Sequence, residues 1–311
     1  MEKLILSGAA GFLGSNLLEA CLMRNFEVIG IDDFSNGNLT NIANFLKDKK
    51  FYFIKRDVRV ISPNELSQEK IKAIYHLAAN LSSNYESYIE NVQITKKMLE
   101  IARKKDAEIF VFVSSTKAIG LITSKKPIDE SFSCIPSDWY GKSKLECENL
   151  VRNFCETYGI KYYIFRPPRI FGPRDWQKTF VDLSRFISRA NAVPISPIKI
   201  NVVYVKNLVE ALCLVLNRSR KSCTYIVSDG AFSISKISLT IAKLLGKKKI
   251  KKIKVPKHVF TLYSLFTGAF THARRGIIYS SRKFREEFNF KPPYTFYQAM
   301  KETLKYFALI K

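Results

Sequence analysis

The sequence predicts an α/β protein: a doubly wound parallel sheet followed by a smaller α+β region. Three observations carry this. Residues 3–33 read KLILSGAAGFLGSNLLEACLMRNFEVIGIDD, an apolar run, a glycine loop, a helical stretch and a second apolar run ending in an acid. Further short apolar runs follow with helical segments between them, the pattern of parallel strands joined by right-handed crossovers. The runs end at Asp32, Asp57, Ala78-Ala79, Ser115 and Arg166, small or polar residues on the side where such sheets bind ligands.

The first unit is the most specific. Residues 4–6 are long enough for a buried strand, and Gly8, Gly11 and Gly14 follow as G-x-x-G-x-x-G before a helical pattern over 12–23. Glycines let a backbone approach a pyrophosphate closely, and a helix N-terminus faces its charge. The second run, 28–31, ends at Asp32, 18 residues beyond Gly14, where a carboxylate can accept from ribose hydroxyls. Strands are expected over 51–54, 73–77, 109–113 and 162–165, with helices over 88–104 and 138–158. The alternation weakens beyond Pro173: helices are expected over 180–189, 208–216 and 234–245, and short strands over 202–205 and 224–227. Residues 246–254, GKKKIKKIK, read as a solvated loop. The apolar, aromatic stretch 259–270 reads as a buried cap helix or dimer face; its flanking lysines make a weak peripheral membrane contact the alternative.

Composition narrows the class. The 311 residues are 47% hydrophobic, enough for one large or two modest domains. With 51 basic and 27 acidic residues the net charge is +24, so partners should be anionic, although a lysine-rich surface accounts for much of the excess. No aromatic-basic interleaving marks a nucleic-acid reading surface, so no nucleic-acid partner is expected. The six cysteines form no C-x-x-C pair and there are three His in all, which argues against a metal site. The cysteines read as reduced core residues of a cytoplasmic protein. A strand at the very start is not a secretory signal, and no apolar run approaches the ~20 residues that span a bilayer.

The second chemical signal is Asp138-Trp139-Tyr140-Gly141-Lys142-Ser143-Lys144. Tyr140 and Lys144 are four apart and share a helix face. A phenol ionises near pH 10, and a nearby ammonium is expected to bring that value down. Tyr140 could then exchange a proton with a hydroxyl while a hydride leaves or joins the same carbon. Ser115, at a strand end, is placed to hold the oxygen, with Thr116 as a substitute.

Together these segments resemble an extended short-chain dehydrogenase/reductase of the NAD-dependent epimerase/dehydratase type, over nearly the whole chain. Gly8 to Gly14, with Phe12 and Leu13, is similar to the family's cofactor loop. VIGIDDFSNG, residues 28–37, resembles its adenosine-ribose strand, which implies cofactor roles for Asp32, Asp33 and Asn36. Asp57-Val58 resembles the adenine contact, His76-Leu77-Ala78-Ala79 the strand under the cofactor, and Asn91-Val92 the start of the central helix. Ser115, Tyr140 and Lys144 align with the active-site triad, and Arg166-Pro167 with the segment beside the nicotinamide. The resemblance implies an α/β Rossmann-type fold, bound NAD, a nucleotide-sugar substrate and a homodimer. It also implies a cofactor domain over 1–166 and a mainly substrate-binding region over 167–311, with interleaved segments. Ser82, Thr116, Arg169 and Tyr204 are the candidate substrate contacts, Arg169 for the diphosphate. Asp32 would repel a 2′-phosphate and no arginine stands in 33–38, which favours NAD over NADP.

Departures from the family pattern narrow the reaction. Thr116-Lys117 follows Ser115 where dehydratases carry an acid pair, so 4,6-dehydration is disfavoured. Ile119 replaces a usual Tyr, Arg169 a frequent Asn, and Lys206-Asn207 a frequent Asp-Asp. The expectation is an NAD-dependent C4-epimerase of a nucleotide sugar. The alternative is a dehydrogenase or C4-ketoreductase of a nucleotide sugar or a 3β-hydroxysteroid-type substrate.

Overall fold

The computed structural model describes residues 1–66, 70–121, 124, 126–217, 221–256 and 276–310; the expectation for 259–270 falls outside them. Two compact units are present, each built from several chain segments. The first comprises Met1–Gly120, Ser133–Pro167 and Val209–Ile226; the second comprises Leu121–Phe132, Pro168–Leu208 and Val227–Lys311.

The first unit is a seven-stranded parallel sheet. Its strands are β1 (Lys3–Ser7), β2 (Glu27–Asp32), β3 (Phe51–Lys55), β4 (Ala73–His76), β5 (Ile109–Val113), β6 (Lys161–Arg166) and β10 (Cys223–Ile226), in the order β10-β6-β5-β4-β1-β2-β3. Leu4 sits opposite Val28 on one side and Ala73 on the other. The strand order reverses beside β1, and doubly wound sheets bind ligands at that switch point. Buried on both faces, β5 is apolar throughout and β1 from Leu4 to Leu6, as strands of a covered sheet must be.

Helices α1 (Phe12–Met23), α2 (Tyr85–Lys104) and α3 (Trp139–Tyr158) flank the sheet. Met98, Leu99, Ile101, Ala102, Cys147, Val151 and Cys155 from α2 and α3 pack with Phe110, Phe112 and Ile164 of the strands into one core. Helix α2 starts three residues before the expected position. Asn84 and Ser87 form a capping box there, each side chain accepting from the other's backbone N–H. Asp138 caps α3, and Gly159 ends it in the left-handed region.

The second unit holds a three-stranded sheet, β11 (Gly230–Ser233), β9 (Lys199–Tyr204) and β7 (Arg169–Phe171), and a two-stranded one, β12 (Lys251–Lys254) with β8 (Ala192–Ile195). Its helices are α4 (Thr179–Ala190), α6 (Ile234–Leu244), α7 (Arg282–Phe288) and α8 (Phe296–Tyr306), while α5 (Val205–Asn217) runs from this unit into the first.

Three expectations are corrected. The strand expected at 224–227 within the C-terminal cap is β10, the edge of the main sheet, paired parallel to β6. The strand expected at 202–205 begins at Lys199, and Val205 already starts α5. Part of the lysine run is not loop: β12 pairs with β8 through its backbone while all four of its residues stay exposed, a pairing that side-chain charge does not reveal. Among the described residues no helix is long and apolar enough to cross a membrane.

Candidate active site

Beyond the carboxyl end of β1 the backbone itself forms a cradle. Gly8 takes φ +75° and donates its N–H to Ile31 O at 2.8 Å, while Gly11 N–H turns back to Gly8 O at 3.1 Å. A Cβ on residue 14 would lie 1.9 Å from Gly8 O, so only glycine lets α1 start so close to the loop. No side chain caps α1 and no acid stands in its first turn, which leaves the peptide N–H groups of Phe12, Leu13 and Gly14 to meet an anion.

Asp32 is buried at 7% exposure. Its Oδ2 accepts from Ala10 N–H at 2.9 Å and its Oδ1 from Phe34 N–H at 2.8 Å, so it ties the glycine loop to the turn after β2. Burial raises its pKa against these hydrogen bonds. Asp33 and Asn36 are exposed beside it. Asp57 accepts from the Arg59 backbone and binds its guanidinium through both carboxylate oxygens, and this pairing holds its carboxyl below the usual range. Val58 behind it is buried.

The second cluster lies at the end of β5 and the start of α3. Ser115 Oγ accepts from Lys117 N–H at 3.2 Å and opens the 3-10 turn Thr116–Ala118. Thr116 is buried at 5% exposure, its N–H bonded to Pro167 O, so it braces the strand end rather than lining a surface. Tyr140 is half-buried. Lys144 is buried at 3% exposure, and its Nζ donates to Val113 O at 3.1 Å, 5.7 Å from the Tyr140 ring centre. The expectation that this ammonium lowers the phenol is corrected. Burial, the Asp138 carboxylate and Cys147 push Tyr140 up, and burial pushes Lys144 down to about 8.

Two buried networks hold these groups. In the first, Ser7 Oγ accepts from the N–H groups of Leu77 and Ala78 and lies 3.0 Å from His76 Nδ1. His76 Nε2 lies 2.9 Å from Thr95 Oγ1, which donates to Asn91 O at 2.8 Å. Only the tautomer protonated at Nε2 satisfies every member. Burial, then the Lys144 charge, holds His76 neutral, its pKa down to about 3. Asn91 donates to Asn80 O and to Ser143 Oγ and accepts from Asn80 N–H, and Ser143 Oγ donates to Tyr140 O at 2.8 Å. With both amide protons engaged, Asn91 braces α2 against α3.

The second network centres on Glu148, fully buried one turn beyond Lys144. It accepts from Ser114 Oγ at 2.6 Å, from Arg166 Nε at 2.8 Å and Nη2 at 2.5 Å, and from Arg152 Nη2 at 2.7 Å. It thereby locks the residues next to Ser115 and Pro167 to the helix of Tyr140 and Lys144. The sequence reading missed this group. The spacing Tyr140, Lys144, Glu148 is its trace, a helix face repeating every four residues.

The remaining candidates divide. Leu77, Ala78 and Ala79 are half-exposed after β4, and Pro167 is buried after β6. Ser82 is exposed in the loop before α2, its N–H on Asn80 Oδ1. In the second unit, Arg169 bonds the Gln177 side chain and Thr179 Oγ1 and lies 3.8 Å from Asp175. Tyr204, expected to touch substrate, is fully buried among Phe171 and Tyr294, and its hydroxyl donates to Glu302 Oε2 at 2.7 Å; this corrects its assignment. Among the described residues no cluster of His, Cys, Asp or Glu could hold a metal, and none of the six cysteines is in a disulfide.

Known proteins resemble this chain in sequence and in fold. A UDP-glucose epimerase of Bacillus subtilis, itself uncharacterized, is 34% identical over 185 residues, 55% of this chain and 58% of that protein. The matched segment thus spans little more than half the relative's length. A dTDP-glucose 4,6-dehydratase of Xanthomonas campestris is 25% identical over 334 aligned positions, 99% of this chain and 93% of that one. Among solved structures, UDP-glucose 4-epimerase of Thermotoga maritima with UDP-glucose superposes with a TM-score of 0.82 at 20% identity, over 98% of both chains. UDP-glucuronic acid 4-epimerase of Bacillus cereus in complex with NAD gives 0.81 at 21%, over 98% of both; at such identities the likeness is one of fold. Residues 4–227 match the model of the NAD dependent epimerase/dehydratase family, and the chain belongs to that family.

Proposed function

We propose that the chain is a nucleotide-sugar 4-epimerase working with NAD. What supports this is Tyr140 and Lys144 side by side on α3, with Lys144 Nζ on Val113 O two residues before Ser115, linked toward the glycine loop through Ser7, His76, Thr95, Asn91 and Ser143. The cradle fits the cofactor: a left-handed glycine, a helix start with no side-chain cap, and no room for a Cβ at residue 14. Gly8, Gly11, Phe12, Leu13 and Gly14 would hold the pyrophosphate. Asp32, Asp33 and Asn36 would meet the adenosine ribose, Asp57 and Val58 the adenine, and Leu77, Ala78, Ala79 and Pro167 the rest. The Asp32 oxygens keep lone pairs beyond their two backbone bonds.

NAD, when bound, supplies the hydride acceptor and, once reduced, the donor. In this reading Ser115 hydrogen-bonds the sugar C4 oxygen. Tyr140 takes the C4 hydroxyl proton as that carbon becomes a ketone, and returns it when the alcohol re-forms on the opposite face. Lys144 is the cation beside the phenol and the group to hold a nicotinamide ribose hydroxyl. Dehydration would need an acid after Ser115. There Lys117 presents an ammonium, paired with Asp138.

UDP-glucose is the probe that the relatives' names recommend. The protein loaded with NAD should convert it to UDP-galactose without added cofactor. Tyr140→Phe should lower turnover roughly 10²–10⁴-fold. Product formed only with matching consumption of NAD or NADH would replace epimerisation by a dehydrogenase or ketoreductase. Full activity in Tyr140→Phe would sink both.

A further inference from the structure

Lys117 occupies a place the proposed reaction does not explain. It stands two residues after Ser115, on the 3-10 turn that ends β5. Its Nζ bonds Asp138 Oδ2 at 2.9 Å and lies 5.6 Å from the Tyr140 ring centre. The other oxygen of Asp138 accepts from Gly141 N–H at 2.7 Å and caps the helix that carries Tyr140. One carboxylate is therefore fixed beside the phenol by the fold, and one ammonium is fixed against that carboxylate.

We propose that Lys117, through its ion pair with Asp138, offsets the carboxylate and lets Tyr140 ionise in the NAD-loaded protein; this rests on the reading of Tyr140 as the acid–base group. An N-cap acid is good for α3 and bad for a phenolate two residues on, since like charges oppose each other. The cap is retained and its charge is balanced from the neighbouring turn. Lys117 acts through Asp138 and Tyr140, as a positioning residue.

Lys144 on α3 stands as near the phenol, its Nζ 5.7 Å from the ring centre, but bonds Val113 O and is not paired with Asp138. Cys147 on α3 is a thiol raised by burial. His76 on β4 is neutral, and Glu148 on α3 is bound by Arg166 from β6 and by Arg152. Tyr85 and Tyr88 of α2 pack on Trp139. Asp138 also draws directly on the phenol, as the cause next after burial of its raised pKa. At this separation, in partly solvated surroundings, one unbalanced charge should move a titration by about half to one pH unit.

The test uses protein carrying tyrosine labelled with carbon-13 at Cζ, loaded with NAD, from pH 6 to 11. The Tyr140 resonance is identified by its loss in Tyr140→Phe. Lys117→Met should raise its midpoint by about half to one unit. Asp138→Asn, which keeps the cap because Asn serves as well there, should lower it. The double variant should return near the parent, and Lys117→Arg should match it. Should Lys117→Met fail to fold, Lys117→Gln takes its place. A midpoint left unmoved by removing Lys117, or no titration of Tyr140 in any form, overturns the proposal. Full turnover in Tyr140→Phe would instead remove the reading on which it rests, whatever the resonance does.

Discussion

The two ends of the first unit's candidate site are made of different material. The cradle after β1 is backbone: its geometry comes from Gly8, Gly11 and Gly14, and its binding groups are peptide N–H. The cluster at the start of α3 is side chain: Ser115, Tyr140 and Lys144 are held by Glu148, Arg166, Asn91 and Ser143, most of them buried. Backbone sites tolerate no added atom, whereas side-chain sites tolerate no lost partner. The difference teaches where each end breaks and why only one of them is conspicuous in a sequence.

Removing a partner should do the most damage. Glu148→Ala leaves the Arg166 guanidinium buried and unpaired, and breaking such a pair costs about 3–5 kcal/mol. Urea unfolding should show a loss of that size. A loss under 1 kcal/mol would mean the network adds nothing that water does not replace. Adding an atom at the other end should do less to stability and more to binding. Gly14→Ala forces a Cβ against Gly8 O, overpacking that costs about 1–3 kcal/mol. Each 1.4 kcal/mol that falls on the bound state lowers NAD affinity about tenfold. Titration with NAD should find binding weakened in this variant while Glu148→Gln, if folded, keeps most of it; equal losses would erase the distinction between the two ends.

The last effect is absent at neutral pH and concerns the residue that joins them. His76 is neutral in the fold, with its pKa down to about 3, and ionises near 6.5 once unfolded. Its contribution is complete above pH 6.5 and is lost as pH falls from there toward 3, by up to about 1.4 kcal/mol per pH unit. His76→Gln should flatten the acid limb of stability against pH. An unchanged limb would assign the acid sensitivity to other groups. Asp229, in the second unit, runs the opposite way. Burial raises its carboxyl to about 6 against its hydrogen bonds to Tyr204 N–H and Asn207. Its share of stability therefore falls as pH rises from about 4 to 6, and Asp229→Asn should abolish that slope in unfolding measured across this range.

How much of this could be read beforehand follows from the same contrast. Gly8, Gly11, Gly14 and Asp32 were legible because steric demands on backbone leave few residue types open. Tyr140 and Lys144 were legible through helix periodicity, and Ser115 through its place at a strand end. Glu148, Ser7, Thr95 and Ser143 were not, because a buried hydrogen bond joins residues far apart in the chain and leaves no local pattern. Tyr204 misled for a related reason: a tyrosine at a strand end looks like a ligand contact until its hydroxyl is found on Glu302. The edge strand Cys223–Ile226 was seen as a strand but given to the wrong sheet, since strand propensity is local and pairing is not.

By itself, then, the sequence determined the alternation of strands and helices in the first unit, the glycine cradle and the candidate reacting side chains, all of which rest on sterics and periodicity within a few residues. The tertiary structure alone decided the surroundings of Tyr140. Burial and the carboxylate of the Asp138 cap act on it through space, and the electrostatic energy of a phenol depends on how near such charges stand, not on how far apart they lie along the chain.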